Sequence, residues 1–391
     1  MPKINANLST LCIHAGEIED QYGSPHTPLY DTSTFRFDTT ESMLDVIEGR
    51  NTGFLYTRYG SNPSITSLEE KLASIEQAEG ALAFSSGMAA ISSTLLAYGQ
   101  GGIICLGDVY GGTWELMSYQ LKGLGLKVIF VTASDFKGLG DYLSQGFDIV
   151  YFETPSNPLL SIIDIARVCK LAHQHDAVVA IDSTFATPVN QQALAIGADL
   201  VIHSATKYLG GHSDLTGGIV AASKALLAPL KIWRKNLGQC MSPDTAHLLA
   251  RSLATLVVRV KQQNYSALRI ARILQKHSAI EKVYYPGLEN FTGFKVAKQQ
   301  MSGFGGMLSF EVKGNASAAV KVVDGLKLFS IAPSLGGVES LVSQPSLTSH
   351  RDLSETLRTE KGISTNLIRL SIGLEEPEDI ENDLLQALKY L

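Results

Sequence analysis

IDSTFATPVNQQALAIGADLVIHSATKYLGGHSDLTGG, residues 181–218, is the stretch whose reading decides the fold. It begins at the end of an apolar run, 177–182, that closes on Asp182. A short amphipathic segment follows at 190–196, then a second apolar run at 200–203. After that come Ser204-Ala205-Thr206-Lys207 and a glycine-rich exit through Gly210-Gly211 and Gly217-Gly218. Both apolar runs are short, rich in β-branched residues and without alternation, which reads as buried parallel strands. In an open α/β sheet, ligands sit beyond the carboxyl ends of the strands. Asp182 and Lys207 therefore fall at one rim.

An acid and a lysine on one rim suit one chemistry well. The acid can pair with a protonated pyridine nitrogen, and the lysine can form a Schiff base with an aldehyde. Ser204 and Thr206 flank the lysine and could hold a phosphate. On spacing alone, a surface lysine beside a strand-end cap stays open as the alternative.

Composition narrows the class. The chain has 391 residues, enough for two or three domains, and is 45% hydrophobic and 18% charged, so it can bury a sizeable core. Lys and Arg total 32 against 38 Asp and Glu, a net charge of −6, which argues against a nucleic-acid partner. Basic pairs such as Arg234-Lys235 read as solvated faces. The four cysteines form no CxxC pair, so neither a disulfide framework nor a zinc site is expected, and a reduced cytoplasmic setting fits. His173, His175 and His203 have no ligand partners at useful spacing and read as structural or surface residues, so no metal is expected. Residues 1–16 show neither a long apolar core nor a basic leader, and no apolar run is long enough to span a membrane. The chain lacks GxxxxGK[ST], and no GxGxxG follows a strand, which leaves a nucleotide-binding α/β protein as a minor alternative.

Residues 1–57 read as an irregular arm with one helix at 40–48. A helix at 64–79 follows the Asn62-Pro63 break. The run 81–84 leads through Ser85-Ser86-Gly87-Met88 into a further helix, a strand–turn–helix whose amides suit a phosphate. Strands are expected at 101–106, 127–131 and 148–152, a helix at 165–175, and an antiparallel strand at 217–222. A long helical stretch is expected from 245 to 276, with leucines and valines near helical spacing. Beyond 282 the pattern changes to a smaller domain with strands at 303–312 and 367–373 and a helix at 317–324. Arg369 lies inside an apolar strand, where a buried arginine needs an anion.

Ser204-Ala205-Thr206-Lys207-Tyr208-Leu209-Gly210-Gly211-His212 resembles the lysine motif of the Cys/Met-metabolism family of pyridoxal-phosphate (PLP) enzymes, and the resemblance runs from His14-Ala15-Gly16 to Arg369. It implies an α/β chain of the fold type I, aspartate-aminotransferase-like class. A mostly parallel seven-stranded sheet would occupy a PLP-binding large domain, 58–245. A smaller α/β domain, 246–391, would follow, and the arm, 1–57, would contact a neighbouring subunit in a homotetramer built as a dimer of dimers. Lys207 would hold the cofactor and move protons, and Asp182 would face the ring nitrogen. Tyr56 and Arg58 would reach a neighbour's phosphate, and Gly87, Met88, Ser204 and Thr206 would bind the phosphate in their own subunit. Tyr110 would stack on the ring and take part in proton transfer. Asn157 would lie near the cofactor's phenolic oxygen and the substrate, with Glu153 helping to position it. Ser334 and Arg369 would bind the head of a small amino-acid substrate, Arg369 through its carboxylate. Ser61 departs from the family spacing as an insertion.

The resemblance also bears on the reaction. Ile331-Ala332-Pro333-Ser334 with Gln344-Pro345 looks like the plant-type γ-synthases. Many γ-lyases have an acid where Pro333 stands. The expectation is γ-replacement, in which the thiol of cysteine displaces the ester group of an activated homoserine to give cystathionine. Alternatives are γ-elimination of cystathionine or methionine, for which Tyr110-Gly111-Gly112-Thr113 resembles the γ-lyases, and sulfhydrylation of the homoserine ester. Gly112 stands where the best-known methionine γ-lyases carry a reactive cysteine.

Overall fold

The computed structural model describes residues 6–351, 354–389 and 391. Seven strands form the first sheet: β1 Gly80–Phe84, β2 Ile103–Leu106, β3 Val128–Val131, β4 Ile149–Glu153, β5 Val178–Asp182, β6 Leu200–Ser204 and β7 Gly218–Ala222. Their order is β1-β7-β6-β5-β4-β2-β3. β3, β2, β4, β5 and β6 run parallel, while β7 is antiparallel to both β1 and β6. The two runs of the opening stretch are thus adjacent parallel strands, with Asp182 opposite Ile202. Their lack of alternation has a plain cause. Apolar clusters lie on both faces of the sheet, so Val179, Ala180, Ile181, Leu200, Val201 and Ile202 are all fully buried.

Local signals fix the helices that cover the sheet. Asn62 caps the Pro63–Ile75 helix by accepting from the Ser64 amide, with proline at the first helical position. Ser86 caps Gly87–Tyr98 in the same way through the Ala89 amide. The helix Lys224–Leu237 was not expected from the sequence: Pro229 lies inside it, and its apolar and polar residues balance, so the stretch carries no strong apolar signal. It corrects one reading. Arg234 is not on a solvated face but buried, donating to the Ala83 carbonyl at 2.8 Å and pairing with Glu69.

The stretch 245–276 is two helices, Pro243–Leu253 and Leu256–Lys276. Between them the Ala254 and Thr255 amides bond three residues back, to Arg251 and Ser252, and the Arg259 guanidinium also donates to the Ser252 carbonyl at 2.9 Å. The long second helix passes from one core to the next. Leu256, Val257 and Val260 pack with the first sheet, and Ala267, Ile270, Ala271 and Leu274 with a second. That second sheet comprises β8 Ile280–Tyr284, β9 Met307–Val312, β10 Ser330–Ile331, β11 Leu341–Ser343 and β12 Leu367–Ser371, in the order β10-β11-β12-β9-β8.

The arm contains a helix the sequence reading did not expect, Leu8–His14, besides Thr40–Ile47. It is tied down by Lys71, which is almost fully buried and donates to the Cys12 and Ile13 carbonyls at 3.2 and 3.0 Å while pairing with Glu17 at 3.1 Å.

Candidate active site

The rim beyond β4, β5 and β6 brings together two buried acids, Glu153 and Asp182, and two cations without a carboxylate partner among the described residues, Lys207 and Arg369. Asp182 ends β5 and is 8% exposed. Its Oδ1 accepts from the Thr184 amide at 2.9 Å, and Oδ2 lies 3.5 Å from the Tyr151 hydroxyl. The Thr184 hydroxyl accepts from the Ser204 amide at 2.8 Å, so one threonine ties the end of β5 to the end of β6. Burial pushes the Asp182 carboxyl above its ordinary range, against the hydrogen bonds from Thr184 and the His203 charge, which pull it down. Thr184 was missed in the sequence; its signal is its place two residues after an acid that ends a strand.

Lys207 follows β6 by three residues, on a loop pinned by Thr206, whose hydroxyl accepts from the Gly217 amide at 3.0 Å. The Lys207 Nζ donates to Ser334 Oγ at 2.8 Å. Burial, then the nearby Arg369, lowers its pKa to about 8, so a neutral amine is accessible near neutrality. Ser334 has φ +101°, a backbone region that costs a non-glycine residue roughly 1–3 kcal/mol and is held only where the surroundings enforce it. Here the Ser334 hydroxyl meets Lys207 while its carbonyl accepts from Arg369 Nη2 at 3.1 Å.

Arg369, on β12, is buried, and its Nη1 donates to Asn157 Oδ1 at 2.8 Å. Both acceptors are neutral; no carboxylate pairs with this guanidinium among the described residues. Burial accordingly lowers its pKa to about 10. An anion entering here would relieve that cost. The site therefore spans both sheets, with Asn157 after β4 facing Arg369 from the second.

The first turn of the Gly87–Tyr98 helix lies against Ser204. A Cβ on Gly87 would meet Ser204 Cβ at 2.8 Å, so only glycine permits this approach. Ser86 satisfies the Ala89 and Ala90 amides, which leaves those of Gly87 and Met88 without an acceptor among the described residues. Two free amides, a helix N-terminus and the Ser204 hydroxyl together make an anion cradle. Thr206 contributes by holding the loop, since its hydroxyl is already engaged by Gly217.

Tyr110 is 47% exposed, and its amide donates to Glu153 Oε1 at 2.7 Å. Glu153 is buried and lies directly across from Asp182 in the β4–β5 register. Burial, then the Asp182 charge, raises its pKa well above the usual range. Glu153 thus anchors Tyr110, whereas Arg369 is the residue that Asn157 meets. A side chain at Gly112 would strike the Tyr110 ring at 2.7 Å, so the glycine there leaves room for the ring. His350, not singled out in the sequence, is buried close enough to Arg369 to feel its charge. Burial, then that charge, lowers its pKa to about 4.

Tyr56 and Arg58 stand apart from this cluster within one chain. Arg58 donates to the Lys235 carbonyl at 2.8 Å, and its guanidinium lies 5.6 and 5.0 Å from the rings of Tyr56 and Tyr59. Among the described residues no metal-ligand cluster occurs, and no helix is long and apolar enough to cross a membrane.

Residues 9–389 match the family described as Cys/Met metabolism PLP-dependent enzyme. The chain is 42% identical to cystathionine gamma-synthase 1, chloroplastic, of Arabidopsis thaliana, over 98% of this chain and 69% of that protein. It is 41% identical to L-methionine gamma-lyase of Fusobacterium nucleatum subsp. polymorphum, over 98% of both. The crystal structure of cystathionine gamma synthase from Xanthomonas oryzae pv. oryzae, in complex with aminoacrylate and cysteine, superposes with a TM-score of 0.93 at 39% identity, covering 98% of each chain.

Proposed function

The chain belongs to the Cys/Met metabolism PLP-dependent enzyme family, and from that premise we propose that it catalyses γ-replacement on an activated homoserine ester with L-cysteine, giving L-cystathionine. It is a PLP-dependent enzyme of the trans-sulfuration type that acts on small amino acids. The alternative of a non-catalytic nucleotide-binding protein falls with that membership.

The rim residues fit the cofactor. A buried carboxylate with a largely unfilled second oxygen, a lysine of lowered pKa and an anion cradle that a Cβ at Gly87 would fill are the features it requires. Gly87, Met88 and Ser204 would hold its phosphate, Asp182 its ring nitrogen, and Lys207 its aldehyde carbon. When bound, pyridoxal phosphate accepts the electron pair released at the substrate's Cα. Lys207 then takes and returns protons at the substrate's carbons, a role suited to an amine of pKa about 8. Arg369 grips the substrate carboxylate, and Asn157 orients that guanidinium. Tyr110, anchored by Glu153, would cover the ring. Tyr56 and Arg58, which among the described residues make no hydrogen bond or ring contact with the rim of their own chain, would complete the phosphate site of a second subunit, in a tetramer arranged as a dimer of dimers. Free cysteines, three of the four buried, suit a reduced cytoplasmic setting.

The observation that carries the choice of reaction is Pro333. It precedes the serine that holds Lys207, at the position where many γ-lyases have an acid, and supplies no carboxylate to favour elimination. A second reading, γ-elimination from cystathionine or methionine, is favoured by the Gly111-Gly112 turn beside Tyr110 and by the lyases among the relatives. Product analysis separates them. The purified enzyme is supplied with O-succinyl-, O-acetyl- or O-phosphohomoserine, each alone, with cysteine or with sulfide, and separately with cystathionine or methionine. Cystathionine formed only from ester plus cysteine supports the proposal. Rapid 2-oxobutyrate from cystathionine or methionine, with little condensation, assigns the lyase reaction, and homocysteine from ester plus sulfide assigns the sulfhydrylase.

A further inference from the structure

Lys207 and Ser334 meet between the two sheets, and each is carried by a loop rather than by a strand or helix. Two polar side chains of the long helix Leu256–Lys276 reach those loops, Arg259 to one and Gln263 to the other. Residues at this spacing lie on one helix face, a turn apart. Both are buried, Arg259 at 3% exposure and Gln263 at 0%.

Arg259 takes the loop just after the lysine. Its Nη1 donates to the Tyr208 carbonyl at 2.8 Å and its Nη2 to the Leu209 carbonyl at 3.4 Å. The same guanidinium is fixed on its own side by the Ser252 carbonyl at 2.9 Å and the Thr255 hydroxyl at 3.1 Å. The Gly211 amide bonds back to the Lys207 carbonyl at 2.7 Å and closes the turn. Gly211 has φ +68°, and a Cβ there would collide with the guanidinium, so this glycine admits the arginine. Gln263 Nε2 donates to the Gly337 carbonyl at 2.9 Å, on the Ser334 loop. The Gly336 amide donates to Ser371 Oγ at 2.8 Å, so this loop is held from two sides. The loops themselves touch: a Cβ on Gly336 would meet the Tyr208 amide nitrogen at 2.7 Å.

Stability accounts poorly for this pair of side chains. Arg259 has no carboxylate partner among the described residues; its acceptors are all neutral, and burial lowers its pKa to about 10. Gln263 Oε1 is buried without a hydrogen-bond partner among the described residues. Apolar side chains of similar volume would avoid both costs. What the two polar groups do supply is a grip on the backbone that carries Lys207 and Ser334. We propose that Arg259 and Gln263 form a clamp that sets the Lys207 amine against Ser334, Arg259 fixing the lysine loop and Gln263 the serine loop. They are positioning residues that act through Lys207, and the inference rests on the reading of Lys207 as the residue that joins the cofactor.

The test compares the parent with Arg259→Lys, Gln263→Leu and Arg269→Met. Arg259→Lys keeps the charge but lacks the planar fork that reaches several carbonyls at once. Gln263→Leu keeps the bulk and removes the bond, and it decides the matter should Arg259→Lys fail to fold. Arg269→Met breaks the pairs with Glu378 and Glu381 further along the same helix and serves as the control. Two quantities are read on folded protein: the pH profile of pyridoxal phosphate uptake by the cofactor-free form, and kcat beside KM for the holoenzyme. The groups that face the Lys207 amine are the Ser334 hydroxyl and, from β12, the Arg369 charge, and no variant removes either. A loosened loop lets the amine reach water, which moves its pKa up towards that of an ordinary lysine. The parent's profile should level off above about 8, whereas those of Arg259→Lys and Gln263→Leu should keep rising past about 9. In Arg259→Lys, kcat should fall roughly tenfold or more with KM within about twofold, because a displaced reacting group costs rate rather than substrate binding. Arg269→Met keeps the parent's values. Parent-like profiles and kcat in folded Arg259→Lys and Gln263→Leu, whatever their melting temperatures, overturn the clamp alone. Borohydride trapping of the parent's cofactor on a lysine other than Lys207 overturns the reading of Lys207 itself.

Discussion

Lys71 and Arg369 are both buried cations, and their surroundings differ in kind. Lys71, on the helix that secures the arm, has two backbone carbonyls and the Glu17 carboxylate within 3.2 Å. Arg234 nearby has Glu69 and the Ala83 carbonyl; burial works against its charge, but Glu69 outweighs burial and its pKa rises. Arg369 has an amide oxygen and a carbonyl, and its pKa falls to about 10. Lys207 has a single hydroxyl, and its pKa falls to about 8. Lys71 and Arg234 have carboxylate partners within the fold; Arg369 and Lys207 have none among the described residues, and an anionic ligand at Arg369 would recover the cost of burying it.

The comparison breaks most sharply at Lys207. Lys207→Ala is expected to lower turnover by roughly a thousandfold or more, since it removes both the cofactor's attachment point and the proton carrier. Steady-state rates checked beside a circular-dichroism spectrum separate this from misfolding. Arg369→Leu is next. Loss of a charge-assisted carboxylate grip should lower kcat/KM by roughly a hundredfold, mainly through KM. The cofactor-free protein should melt no lower than the parent, because the change removes an uncompensated buried charge. A drop in melting temperature would mean that Arg369 is structural.

The pH dependence of cofactor capture sharpens the same contrast. Only the neutral lysine amine attacks an aldehyde, and the neutral form grows as pH rises through about 8. Uptake of pyridoxal phosphate by cofactor-free protein, followed by its visible absorbance, should therefore slow on acidification by roughly tenfold per unit below that pH. A profile still rising steeply above pH 9 would mean an ordinary exposed lysine. The smallest kinetic effect belongs to the saturated region. Lys71→Met should cost about 2 kcal/mol of stability, below the usual range for a broken buried pair because Glu17 is partly exposed. Denaturant unfolding reads this, while kcat/KM per folded molecule should stay within roughly twofold.

Much of this was legible before any coordinates. The apolar runs ending at Asp182 and His203 marked two adjacent parallel strands because burial on both faces removes alternation. The motif around Lys207 and the strand arginine Arg369 pointed to residues that the structure brings together through Ser334. What stayed hidden depends on distant partners. Arg234-Lys235 looked like a surface pair because Glu69 and Ala83, which enclose Arg234, lie far away in the chain. The Lys224–Leu237 helix hid behind Pro229, and the break after Leu253 behind an unbroken helical period that only Arg259 explains. His203 read as a structural or surface histidine; it is buried against Glu76, a partner far away in the chain.

The account stands on Lys207 as the residue that joins the cofactor, and reductive trapping tests that directly. The yellow enzyme is treated with borohydride, digested, and its peptides are searched by mass spectrometry for a pyridoxyl-phosphate adduct. The account predicts bleaching of the colour and one modified site, Lys207, in near-stoichiometric yield. An adduct on another lysine, or bleaching with none on Lys207, would contradict it.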